Sequence, residues 1–122
     1  MRVILINPFD ETVKEAVYGG DYREIYDLIE CTTFDCVSLT SNEDLYVDDE
    51  GLLKDNQRYF RLLGTGIYNP FAGRGLLCSH NDEGETTGTT WELERVKNMV
   101  EFLPIWVILV KQVMLLGLKN KL

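Results

Sequence analysis

The chain opens on Arg2-Val-Ile-Leu-Ile6, an apolar run stopped at once by Asn7-Pro8. A run this short, closed by a turn signal, reads as a buried strand and not as a helix. A buried strand needs neighbours. Glu11 to Tyr18 supplies the first, with Val13 and Val17 set among charges and Ala16 between them, and we expect it to form a hairpin with the opening run.

Gly19-Gly20 then breaks the chain. Asp21 stands three residues before Glu24, the spacing of a reciprocal capping box, and Tyr22, Ile25, Tyr26 and Ile29 recur at helical spacing. The pattern predicts an amphipathic helix over Asp21–Glu30, with its stripe packed into the core or, alternatively, offered as a docking face. Thr32 to Thr40 is β-branched and aromatic and predicts a strand. Ser41-Asn42 marks a turn. Asp44-Leu-Tyr-Val47 and Leu52-Leu53 flank Asp48-Asp49-Glu50-Gly51, which predicts a tight hairpin with Gly51 at positive φ. Gln57 to Leu63 is a further candidate strand.

Gly64 to Gly75 holds several glycines and Pro70, and predicts a long irregular loop. Leu76-Leu-Cys78 reads as a short buried strand and Asn81 to Gly88 as a polar connection. Thr89 and Glu92 make a second capping box, opening a helix over about 90–103 whose Leu93, Val96, Val100 and Leu103 share a face. Pro104 ends or kinks it. Trp91 and Trp106 read as packing anchors. The fold class expected is α+β: a mainly antiparallel sheet of five to six short strands with two helices. Residues 1–103 form the domain and 104–122 an apolar extension, helix or strand.

At 122 residues the chain suffices for one domain and buries a real core without a disulfide or metal staple. Cys31, Cys36 and Cys78 are odd in number and lack CxxC or Cys/His spacing. Each reads as a small buried hydrophobe. Only five apolar or neutral residues separate Met1-Arg2 from Pro8, so no signal peptide is expected, and with these cysteines a reducing, cytoplasmic setting is.

The net charge of −8 is unevenly spread. Residues 1–55 carry 14 Asp/Glu against 4 Lys/Arg, whereas residues 56–122 carry 6 against 8. An acidic front repels a phosphate backbone, so direct binding of nucleic acid is not expected. The same charge attracts a basic surface that ordinarily holds nucleic acid.

The first hundred residues resemble an uncharacterised family of small phage- and plasmid-borne proteins, the domain of unknown function 3846. The likeness is carried by the Met1–Pro8 strand, Gly20-Asp-Tyr-Arg-Glu-Ile-Tyr-Asp-Leu-Ile29, and Leu45-Tyr-Val-Asp-Asp-Glu-Gly-Leu-Leu-Lys54. Asn69-Pro70, Ala72-Gly73-Arg74-Gly75 and Asp82-Glu-Gly-Glu85 add to it. The resemblance covers about residues 1–103 and implies a mobile-element origin and a compact α+β fold. It implies no activity and does not reach the tail.

Three groups of residues offer chemistry. Glu43, Asp44, Asp48, Asp49 and Glu50, with Asp55, form an acidic cluster. It lacks the ladder of a calcium loop, and its consecutive turn carboxylates point apart, which disfavours paired acid–base work. It reads as a solvated hairpin or as a patch facing a basic partner protein. The Gly64–Gly75 loop invites a nucleotide reading, with Arg74 on phosphate, Tyr68 or Phe71 stacked on a base, and Asn69 beside them. It carries no phosphate-loop motif, so a plain structural loop stands as the other reading. His80, the only histidine, lies two residues from Cys78 and could share a strand face with it; a surface histidine is the plainer reading, a hydrolase the sharper one. No catalytic set, metal site or cofactor is expected.

Ile105–Leu118 is nearly all apolar but shorter than the roughly 20 residues of a spanning helix and interrupted by Lys111, so no membrane span is expected. Such a patch promotes packing, across a subunit boundary in a homo-oligomer or on its own core. The functional expectation is an acidic, non-enzymatic protein of phage or mobile-element origin that occupies a host protein, such as a component of a defence system. A nucleotide sponge built on the Gly64–Gly75 loop is the alternative.

Overall fold

The computed structural model describes residues 1–104, and the expectations for the tail, its self-association and Trp106 lie outside them. Strand β1 (Arg2–Asn7) pairs antiparallel with β2 (Thr12–Val17), the expected hairpin. Its other edge takes β7 (Gly75–His80), which pairs with β4 (Glu43–Asp48), and β4 pairs with β3 (Phe34–Ser38). The order is therefore β2-β1-β7-β4-β3, every pair antiparallel, with β8 (Thr86–Thr87) on the end of β7. A second sheet joins β5 (Tyr59–Leu62) to β6 (Phe71–Ala72) and to β9 (Val100–Leu103). With helices α1 (Arg23–Leu28) and α2 (Leu93–Met99), the fold is α+β.

The large sheet is covered on both faces, and this explains the unbroken apolar run of β1. Ile4 and Ile6 join Leu45, Phe60, Leu77, Trp91 and Val96 in a core under the second sheet and α2. Val3 turns the other way, with Leu76 and Cys78, to meet Ile25, Ile29 and Tyr18. A six-residue helix has no stability of its own. Ile25 and Ile29 hold α1 in place, helped by the ring sequence Tyr26–Phe34–Tyr46, whose centroids lie 5.2 and 5.4 Å apart. Gly75 makes room between the layers: a β-carbon there would lie 2.7 Å from the Phe60 ring.

Four expectations are corrected. The first capping box is half formed: Glu24 accepts from the Asp21 N–H at 3.2 Å, but the Asp21 carboxylate takes the N–H of Arg23, not of Glu24. The helix expected over 90–103 ends at Met99, because Val100–Leu103 hydrogen-bonds along β5, with Leu62 opposite Val100 and Phe60 opposite Phe102. Thr89 does not cap it, because α2 starts only after Glu92; the Thr89 hydroxyl donates to Glu43 and accepts the N–H of Trp91 at 3.2 Å. The hairpin at 48–51 does not exist either. Gly51–Leu53 is a 3-10 turn with Gly51 at ordinary φ, and β4 finds its partners in β3 and β7. The Gly64–Gly75 loop contains β6 and leads directly into β7.

Candidate functional site

Strand β4 distributes the acidic cluster by simple alternation: Glu43 shares a face with Leu45 and Val47, while Asp44 and Asp48 share the opposite face with Tyr46. Glu43 is 1% exposed. It accepts from the Ser79 hydroxyl, from Thr89 Oγ1 at 2.9 Å, and from the N–H and hydroxyl of Thr90 at 3.0 and 2.6 Å. These bonds tie the segment before α2 to β4 and β7. Asp44 is buried and accepts from His80 Nδ1 at 2.6 Å. Asp48 is buried too, paired with Lys54 and accepting the N–H of Glu50 at 3.0 Å. Of the five carboxylates, only Asp49 and Glu50 face solvent.

The two residues after Gly51 are large and apolar, yet they lie outside. Leu52 is 73% exposed and Leu53 84%, on a turn held firmly at both ends. Gly51 is buried against Ala72, and its carbonyl accepts from the buried Gln57 amide at 2.7 Å. Lys54 closes back onto Asp48, and the N–H of Leu53 returns to the Glu50 carbonyl at 3.0 Å. Two large apolar side chains are thus presented on a stiff platform between Asp49-Glu50 and Asp55. Sequence reading missed them because a leucine pair after a glycine looks like the start of a strand; they have no strand partner among the described residues.

The Gly64–Gly75 residues do not converge. Tyr68 and Asn69 point to solvent, whereas Phe71 packs its ring 5.4 Å from that of Phe60. Arg74 pairs with Glu30 at 3.2 Å and lines a cavity of about 160 Å³ that none of the other three borders. A stacked base with a bound phosphate has no shared site here.

Cys78 and His80 do fall on one face of β7, as their spacing implies. His80 is drawn to Asp44, and Cys78 is fully buried, its thiol pushed up to about 12 by desolvation and then by Cys36, Glu43 and Asp44. A thiol held neutral in this way is no nucleophile. Nor are all three cysteines buried: Cys36 is exposed and Cys31 half-buried. Among the described residues no three His, Cys, Asp or Glu side chains are placed to hold a metal ion, and no helix is long and apolar enough to cross a membrane.

The β3 edge of the large sheet is closed to strand addition at its centre. The Leu39 N–H bonds to Glu43 on β4, so by alternation the Cys36 N–H points outward, where the Asp35 carboxylate accepts it at 2.9 Å.

A family model described as "Domain of unknown function (DUF3846)" matches residues 1–101. Neither a curated protein nor a solved structure matches the chain.

Proposed function

The chain belongs to the DUF3846 family, and from that premise we propose that it is an acidic binding protein that occupies a basic surface of another protein. The observation that carries this reading is the pinned Gly51–Leu53 turn, with two exposed leucines flanked by Asp49, Glu50 and Asp55. Burying a leucine side chain is worth about 1.5–3 kcal/mol, so the pair supplies an apolar anchor, on a turn whose backbone is held by Gln57 and by the Glu50 carbonyl. The flanking carboxylates select a groove rimmed by Lys and Arg and speed encounter at low salt. Such a groove ordinarily holds nucleic acid, which the surplus negative charge of this chain would itself repel.

The likeness to phage- and plasmid-borne proteins makes a host protein the partner we favour, one of a defence system above all. The test is capture from host lysate at low and high salt, using the wild type and two variants, Leu52→Ala/Leu53→Ala and Asp49→Asn/Glu50→Gln. We expect the leucine variant to abolish capture of a specific protein and the charge variant to reduce it mainly at low salt. Capture that survives the loss of both leucines, in a variant that melts like the wild type, would falsify the reading.

A further inference from the structure

Beside the exposed turn lies the cavity of about 160 Å³, bordered by Asp48, Lys54 and Asp55 of the turn itself and by Glu30 and Arg74 across from it. Small-molecule pockets run to roughly 300–1,000 Å³, so this one has room for a single side chain. Three carboxylates, Glu30, Asp48 and Asp55, meet two cations, Lys54 and Arg74, leaving a formal charge of −1. Both cations already have a carboxylate: Lys54 pairs with Asp48, and Arg74 pairs through Nη2 with Glu30, although its buried Nε has no hydrogen-bond partner among the described residues. Among the described residues Asp55 forms no ion pair. An anion entering here meets net repulsion, whereas a cation finds an unmatched carboxylate. The rest of the lining is Gln57, Gly73 and two apolar residues, Ile29 and the half-exposed Phe9. A ring beside a carboxylate is the arrangement that takes a long cationic side chain, stem against the ring and head on the charge.

We infer that this cavity receives an arginine or lysine side chain of the protein on which the Leu52-Leu53 turn docks. The inference rests on the docking reading and adds to it the recognition chemistry: a basic residue beside an apolar groove.

The test is a titration of the isotope-labelled full chain, read from its backbone amide signals. The probes are N-acetyl-arginine methylamide, its lysine counterpart, the uncharged norleucine analogue and inorganic phosphate. Shifts at Ile29, Glu30, Asp55 and Gly73 are expected with a cationic probe and with neither of the others. Asp55→Asn, at an exposed position, should weaken that binding about three- to fivefold. Shifts with phosphate, equal shifts with norleucine, silence toward both cations, or an Asp55→Asn protein that binds unchanged would each overturn the inference. Silent cationic probes alongside capture that still needs both leucines sink the cavity alone. Probe binding alongside capture indifferent to the leucines sinks the docking reading instead.

Discussion

Gly51 lies so close to the chain at Ala72 that a β-carbon on it would sit 2.9 Å from the Ala72 carbonyl oxygen. Backbone cannot yield as a flexible side chain can, so the exposed turn and the short strand β6 are seated on one another without a gap. The residue that sequence reading assigned to a positive-φ corner is required for close approach.

Gly51→Ala should therefore lift the turn off β6 and cost about 1–3 kcal/mol, the usual range for overpacking. Urea unfolding measures the loss, and partner capture should weaken with it. A stability equal to wild type would show that the contact relaxes freely.

Glu43→Ala should be among the most damaging single changes. It removes the acceptor for Ser79, Thr89 and the Thr90 hydroxyl, leaving the buried Ser79 and Thr89 hydroxyl protons with no acceptor. The expected cost is about 3 kcal/mol. Since the tie joins the segment before α2 to the sheet, hydrogen exchange around Thr89 and Thr90 should rise. A loss under about 1 kcal/mol would show that water replaces the carboxylate.

Alkaline pH should destabilise the protein through Cys78. Its thiol rises from an ordinary value of 9.0 to about 12 on folding, so the folded state holds its proton where the unfolded state releases it. Stability is then full below about pH 9 and falls by about 1.4 kcal/mol per pH unit between there and pH 12. Tyr18 and Tyr46, both raised chiefly by burial, add to the same trend. Unfolding midpoints followed from pH 7 to 10.5 should decline less steeply in Cys78→Ala than in wild type, whatever the cavity costs at neutral pH. Parallel slopes would remove Cys78 as the cause.

Asp35→Ala should loosen the guard on the sheet edge. With the outward N–H of Cys36 released, β3 offers a free donor at its centre, and self-association should become more dependent on concentration. Light scattering under reducing conditions reads this directly. An unchanged profile would mean that other features protect the edge.

Local patterns read well wherever one short stretch held all the information. The β1–β2 hairpin followed from an apolar run, a turn and a second run, and α1 from a stripe at helical spacing. The misreadings share one cause. Val100–Leu103 has an apolar face as a helix and alternation as a strand, and only the free edge of β5 chose between them. The acidic cluster misled in the same way. A row of carboxylates in sequence looks like one patch, but strand alternation and the neighbours Ser79, His80 and Lys54 drew three of the five inward.

Composition and short-range periodicity determined, without any structure, that this chain is an α+β domain with an acidic front, because those properties depend on residues adjacent along the chain. Which carboxylates keep their field, and where the leucines of the turn point, was decided by contacts between distant segments: Glu43 with Thr90, Gly51 with Ala72, Gln57 across the base of the turn. Burial is a property of pairs brought together by the fold, so which side chains stay exposed emerged only once those pairs were in place.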